Sequence, residues 1–312
     1  GANLMNLKTG EYDQRILELF GIPEIQKALP PLCRADEVCG HISSEAAAKT
    51  GLSEGTPVIG GFFDINAGAI ASGVLDPSLI CMIAGTWSIN EYIRKEPVLD
   101  GKVQMNSLFA LPEYYLIEES SATSAGNNEW FVRELLPELK LQAKQEGRNV
   151  YDMMDEWVES IAPSEFVPIF LPFTMASNVH PNAKGSFIGI SYSHKRKHLV
   201  RSVFEGITFS HRYHLEKLLA TREEPAKAIR LSGGAAKAKV WVQMFADVMQ
   251  LPVETLSANE NGALGCAIAA AKATGEYKDL SEAVSHMSRI SDAVMPNPAM
   301  KDIYDRKYRL YV

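Results

Sequence analysis

Asp64 closes an apolar, glycine-flanked run, Pro57-Val58-Ile59-Gly60-Gly61-Phe62-Phe63, and is followed by the small-residue stretch Ile65-Asn66-Ala67-Gly68-Ala69. Such a run reads as a buried strand, and an acid at its end opens into whatever cleft lies beyond. A second strand-like run, Leu79 to Ala84, ends in Gly85-Thr86-Trp87-Ser88. A tight glycine turn there can present backbone N–H groups and a hydroxyl to an anion. Together, one acid and one anion-cradling turn suit phosphoryl transfer. Each residue also has a plainer reading. Asp64 can be the N-cap of the helix that follows it, a role worth about 1 kcal/mol, whereas a general base contributes roughly 10² to 10⁴ in rate. Gly85-Thr86 can be a simple hairpin turn. Gly233-Gly234-Ala235, after the apolar run Ala228 to Ser232, can be an ordinary strand-to-helix junction.

Other chemistries find less support. Neither glycine turn fits G-x-x-x-x-G-K-[ST] or G-x-G-x-x-G. His211 and His214 sit three apart, a metal-compatible spacing, yet no third ligand is evident, so they read as solvated helical histidines. Cys33, Cys39, Cys81 and Cys266 show no C-x-x-C spacing; Cys81 and Cys266 lie in apolar runs and read as small core residues, which fits a reduced, cytoplasmic setting. Trp130 and Trp241 read as core. A net charge of −7 leaves no basic footprint for nucleic acid, and the dense run His194-Lys195-Arg196-Lys197-His198 reads as a solvated turn before a helix. No apolar segment is long enough to span a bilayer. The start, Gly1-Ala2-Asn3-Leu4, lacks an initiator Met and reads as a fragment or processed chain.

The elements that must hold these residues alternate in type. Helices are expected over Tyr12 to Ile22, Ser44 to Thr50 with Gly51 as its left-handed stop, and Ile65 to Ala71. Further helices are expected around Trp130 to Leu135, through Leu199 to Leu219, over Val240 to Val248, and last over Gly262 to Ala271. Strands are expected at Pro57 to Phe63, Leu79 to Ala84, Ser88 to Arg94, Tyr114 to Glu119 and Ala228 to Ser232. With 312 residues and 46% hydrophobic content, the pattern is an α/β class with mixed sheets.

The order of these weak signals resembles the C-terminal portion of the FGGY carbohydrate kinases, over nearly the whole chain. Gly61-Phe62-Phe63-Asp64 resembles the family's catalytic-aspartate segment and Ala84-Gly85-Thr86 its second phosphate loop. Leu231-Ser232-Gly233-Gly234-Ala235, with Trp241, Gln243, Ala246 and Asp247, resembles its adenosine motif. Gly185-Ser186-Phe187-Ile188-Gly189-Ile190, then His198-Leu199-Val200-Arg201-Ser202-Val203-Phe204-Glu205, is similar to its second signature, and Gly262 to Ala267 to the helix behind the nucleotide. Within the family, Gly85-Thr86-Trp87, Gly21 to Ile25 and Glu119 to Trp130 look most like the L-xylulose kinase branch. Ala238 departs from the pattern, since it cannot offer adenine a side-chain hydrogen bond.

The resemblance implies an actin-like ATPase, ribonuclease H-like fold with a mixed sheet and flanking helices. It implies residues 1–29 as the tail of an N-terminal domain with its linker, and 30–312 as the C-terminal, nucleotide-binding domain. Asp64 is implied as general base, and Gly85, Thr86, Gly126, Gly233, Gly234 and Ala235 as ATP-binding residues, with no metal ligand in this portion. The implied reaction is ATP-dependent phosphorylation of a sugar hydroxyl on a ketopentose such as L-xylulose, with ATP and Mg2+ as cofactors. The fragment alone is expected to be inactive, because the first phosphate loop and most sugar contacts belong to the N-terminal domain. An actin-like ATPase or a sugar-sensing module without kinase activity is the alternative. A small sugar is the expected partner, nucleic acid and membrane are not, and a homodimer is compatible with the sequence.

Overall fold

The computed structural model describes residues 3–177 and 179–312; Gly1 and Ala2, at the abrupt start of the chain, lie outside the described residues. In chain order its helices are α1 (Gln14–Leu19), α2 (Ser44–Thr50), α3 (Asp64–Ala71), α4 (Ala125–Leu135), α5 (Pro137–Glu146) and α6 (Val150–Glu159). They continue with α7 (Arg196–Leu219), α8 (Lys239–Met249), α9 (Asn261–Ala273), α10 (Leu280–Met287) and α11 (Lys301–Tyr311). The strands are β1 (Val38–His41), β2 (Pro57–Ile59), β3 (Leu79–Ala84), β4 (Ser88–Arg94), β5 (Met105–Leu108) and β6 (Tyr115–Ser121). After them come β7 (Ile169–Leu171), β8 (Ser186–Ile188), β9 (Ala228–Gly233), β10 (Val253–Leu256) and β11 (Ile290–Val294).

Seven strands form one mixed sheet in the order β11-β10-β9-β3-β4-β6-β5. β10, β9 and β3 run parallel, and the remaining neighbours pair antiparallel. Alternation along β4 sorts the two faces. Ser88, Asn90 and Tyr92 reach α7 residues or the turn that follows it, while Ile93 joins the opposite core with Ile70 and Leu116. The larger core lies under α4 to α8 and α11, and the smaller one under α3, α9 and α10. This mixed sheet covered on both faces is the architecture that the sequence implied.

α7 is the spine of the larger face. Its 24 residues include buried His198, Arg201, Ser202, Glu205, Thr208, Ser210, His211 and His214, and each such group needs a partner once water is gone. Arg201 donates to Glu205 (2.9 Å), to the carbonyls of Val158 and Ile161 (3.0 and 2.8 Å) and to the Tyr304 hydroxyl (3.0 Å). Lys307 donates to both Glu205 oxygens at 2.8 and 3.0 Å. The run that resembles a family signature thus ties α7 to α6 and α11. On the smaller face, α9 crosses α3 so closely that a methyl group at Gly265 would overlap the Ala67 carbonyl.

Several sequence expectations need correction. Pro57 to Phe63 is not a buried strand: β2 stops at Ile59, pairs among the described residues only with β1, and is largely exposed, with Ile59 and then Phe62 only partly packed against the smaller core. The chain does not end its helices with Gly262 to Ala271. α10 follows, capped by Asp279 accepting from Glu282 N–H, then α11, whose polar sequence hides the buried anchors Tyr304 and Tyr308. Cys266 is exposed, one step around α9 from the face where Gly265, Ile268 and Ala269 are buried. His211 and His214 are buried rather than solvated. His198 is buried too, although it sits in the basic run read as a solvated turn; its neighbours Arg196 and Lys197 open the first turn of α7. α5, α6 and the short strands β5, β7, β8, β10 and β11 lie where no element was expected, each too short or too polar to stand out.

One pair opposes ordinary sheet chemistry. Glu91 and Glu118 face each other across β4 and β6, where like charges repel, and neither Glu91 carboxyl oxygen has a hydrogen-bond partner. Burial pushes the Glu91 carboxyl well above its usual range, with Glu118 and Asp64 adding to the rise against a contact with Cys81. Burial raises Glu118 as well, again with Asp64 contributing. A raised carboxyl binds its proton more tightly when folded, so its contribution to stability is present at acid pH and is lost as pH rises above the usual carboxylate range. Glu91→Gln should therefore flatten the loss of stability as pH rises above the usual carboxylate range, measured by denaturant melts, and an unchanged slope would mean that this pair does not titrate on unfolding. Gly265→Ala should destabilise by about 1–3 kcal/mol through overpacking, while Gly262→Ala, which faces open space, should be neutral or mildly stabilising in the same melts.

Candidate active site

β3 and β4 are joined by a three-residue turn, Gly85-Thr86-Trp87, because Ala84 pairs with Ser88 across the hairpin. The same Ala84 is in parallel register with Gly233 on β9. Gly233 has φ 87° and ψ −167°, and a Cβ there would stand 2.5 Å from the Ala84 carbonyl and 2.8 Å from Gly85 N. Only glycine fits that backbone and that approach. A third turn arrives from β6. A Cβ on Gly126 would lie 3.0 Å from Thr86 Cγ2, 3.1 Å from Thr86 O and 3.2 Å from Met175 Sδ, and one on Gly234 would be 3.9 Å from Ala125 Cβ.

Gly85, Thr86, Gly126, Gly233 and Gly234 are therefore neighbours, drawn from three parts of the sequence to one end of the central strands. Thr86, Gly233 and Gly234 are exposed, whereas Ala235 is fully buried and anchors its turn in the larger core. Gly126 stands in the first turn of α4, where helix N–H groups point outward and favour an anion.

Asp64 reaches the same end from the other face of the sheet. Along α3, Ser72 meets Cys81 at 3.6 Å, and the Cβ position of Gly68 is 3.1 Å from Ile83 Cδ1. Four helix residues, about 6 Å, thus match two strand residues, about 6.6 Å, so the N-terminus of α3 points toward the Gly85 end, while Asn66 Nδ2 bonds Ser107 Oγ and the Leu108 carbonyl at 3.2 Å and draws it across toward β5. Asp64 is exposed, and Phe63 and Trp87 beside it and Thr86 are each about half exposed. It is not the N-cap: Phe63 holds that position, and Asp64 is the first helical residue, accepting only from Ile65 N–H at 2.9 Å. The other carboxylate oxygen is left free to meet a substrate.

Behind the turns lies a polar layer that motif reading missed. His211 meets Asn90 Oδ1 at 2.9 Å and Ser88 Oγ at 3.1 Å through Nδ1, and Ser124 Oγ at 2.9 Å through Nε2. Burial drives its pKa down to about 3, with His214 adding to the fall, so the ring is neutral. One turn on, His214 joins Ser121 (2.7 Å) to Glu119 (3.0 Å), which also accepts from Lys217 at 3.3 Å. Burial alone would raise Glu119, but His214 and Lys217 outweigh it and hold the carboxyl low. The available signal was polar residues spaced at helical period along an otherwise apolar helix.

Among the described residues no group of three or more His, Cys, Asp or Glu side chains is placed to hold a metal ion, and no helix is long and apolar enough to cross a membrane.

Known proteins resemble this chain in sequence and fold. The sequence profile of the FGGY family of carbohydrate kinases, C-terminal domain, matches residues 80–274, and that of the N-terminal domain matches residues 1–71. The L-xylulose/3-keto-L-gulonate kinase of Escherichia coli (strain K12) is 34% identical over 99% of this chain and 60% of its own length. An autoinducer-2 kinase of Salmonella paratyphi B is 27% identical over 98% of this chain and 58% of its own. The crystal structure of xylulose kinase from Rhodospirillum rubrum superposes with a TM-score of 0.83 at 27% identity, covering 99% of this chain and 60% of that one. The chain thus spans about three fifths of the length of the relatives it matches. By profile, sequence and fold together, it belongs to the FGGY family of carbohydrate kinases.

Proposed function

We propose that this chain is the nucleotide-binding part of an ATP-dependent kinase for a ketopentose such as L-xylulose, with Asp64 as general base. The observation that carries the reading is the meeting of three glycine turns at one end of the central strands, with Gly233 too close to Ala84 and Gly85 for any side chain, and an exposed carboxylate at the start of α3, whose N-terminus points toward that end. In this reading residues 1–29 are the tail of an N-terminal domain and 30–312 the C-terminal domain. The adenosine lies over Gly233 and Gly234, and the phosphates lie between the Gly85-Thr86 turn and the first turn of α4.

Asp64 takes the proton of the sugar hydroxyl as its oxygen attacks the terminal phosphorus, and the bond to ADP breaks. Backbone N–H groups at Gly85 and Gly126 and the Thr86 hydroxyl stabilise the charge on the transferring group. Positioning dominates such a transfer, which is why short turns from separate elements suffice. Magnesium, taken here to accompany ATP, is given no protein ligand in this chain and no step of its own. The exposed faces of Phe63 and Trp87 offer apolar surface to a sugar ring near Asp64. L-xylulose is favoured over other acceptors because the relative at 34% identity is named for it, and the autoinducer-2 kinase at 27% makes that compound the main competitor.

A sugar panel with ATP on the full-length gene product tests the substrate: L-xylulose should give the highest kcat/KM, and ATP turnover indifferent to sugar would point to an ATPase instead. Asp64→Asn should lower kcat by about 10² to 10⁴ with ADP affinity near wild type, because a base acts in the transition state. Retention of half the wild-type turnover would remove Asp64 from the chemistry. The 312 residues alone should show no sugar-dependent ADP release, since each missing electrostatic stabiliser lowers the rate by roughly 10² to 10³. Turnover within about tenfold of the full-length protein would show a complete site here.

A further inference from the structure

We infer that His211 is a positioning residue for the nucleotide phosphates, a clamp that holds the Gly85-Thr86 turn against the N-terminus of α4 so that Thr86 and Gly126 form one cradle. The inference rests on the nucleotide reading above and adds a residue that never touches the ligand.

The hydrogen-bond directions can be worked out. Asn90 Nδ2 donates to the Glu119 carbonyl, which can only accept, at 3.2 Å, and to Ser88 Oγ at 3.2 Å. Its Oδ1 therefore faces His211 and must accept, so the ring carries its proton on Nδ1. Nε2 is then bare and accepts from the Ser124 hydroxyl. Because burial keeps the ring neutral, this donor–acceptor pattern is the one it presents.

Ser124 gives up an ordinary role for this contact. It is the N-cap of α4, where a serine hydroxyl normally accepts from a first-turn N–H for about 1 kcal/mol, yet its side chain makes no cap bond. The hydroxyl is aimed inward at His211, which leaves first-turn N–H groups without a side-chain cap on the side where Gly126 meets Thr86. Ser88, at the foot of the other turn, and Asn90 on the same strand take the opposite edge of the ring. The ring also meets Phe245 of α8 edge-on at 5.3 Å, so the helix that follows the Gly233-Gly234 turn packs on it too. One imidazole thereby touches an element adjoining each of the three turns.

The test uses the full-length protein, with ADP titrated by calorimetry, steady-state kinetics and thermal melts. His211→Leu keeps the bulk and removes all three polar contacts; it should weaken ADP binding and raise the KM for ATP by about tenfold or more while leaving the KM for sugar unchanged. His211→Gln, which keeps one donor and one acceptor, should recover most of that loss. Ser124→Ala removes a single bond with little change in volume, so it should fold and shift nucleotide affinity several-fold in the same direction. If His211→Leu does not fold, Ser124→Ala decides alone. Nucleotide affinity within about twofold of wild type in the folded variants, or an equal rise in the sugar KM, would overturn the clamp while the kinase reading stands. A wild-type protein that binds no ADP would overturn both.

Discussion

The burial of α7 is the constraint from which most of this structure follows. A 24-residue helix with apolar cover on nearly every side carries eight polar side chains into a space where an unpaired polar group costs about 1–3 kcal/mol. Most of those groups therefore take a partner outside the helix, Ser202, which donates to the His198 carbonyl, being an exception. Arg201 and Glu205 dictate α6 and α11; His211 and His214 dictate β4, β6 and the start of α4. A purely apolar helix could slide or rotate against the sheet at modest cost, because hydrophobic contact has no direction. This one cannot, since a shift of one residue would break bonds at both ends at once.

That rigidity is what a site made of turns requires. Apart from Ala235, buried in the larger core, the glycine turns have little of their own to fix them in place, and each owes its position mainly to the strand or helix it joins. Parallel pairing of β3 with β9 sets Gly233 on Gly85, while the bonds from α7 set Gly126 on Thr86. The exposed residues Thr86, Gly233 and Gly234 thus sit directly above fully buried Ser124, His211 and Ala235. The opposite face carries Asp64 on α3, which is held by its close crossing with α9 at Gly265.

How much of this was legible in the sequence depended on whether the signal was local. β3 and β4 fall at the expected residues, Leu79–Ala84 and Ser88–Arg94: a continuous apolar run ending at Gly85 needs no tertiary information to be seen, and the glycine turn marks where the next strand begins. α2 likewise begins at Ser44 and ends on Gly51 with φ 78°. Pro57 to Phe63 misled because apolar composition says nothing about whether a second layer exists to cover it. The histidines misled for the converse reason. A polar residue on a long helix reads as solvent-facing until its partners, 87 to 123 residues away in sequence, are brought beside it. The carboxyl pair Glu91 and Glu118 was invisible for the same cause, as it exists only through the β4–β6 register.

The division between what was seen and what was missed has a physical basis in the site itself. In the proposed reading the groups that face a ligand are backbone N–H groups and one carboxylate, and they announce themselves through glycine and through an acid after an apolar run. Groups that hold the backbone in place must instead satisfy one another in the interior, and no spacing rule encodes such pairing. Ser124 illustrates the difference: by its local sequence it is a helix cap, and by its hydrogen bond it belongs to His211 on another helix. Where a side chain forgoes its local preference for a distant partner, local stability has been exchanged for a fixed relation between two elements. In this molecule that exchange occurs directly beneath the turns where position matters most.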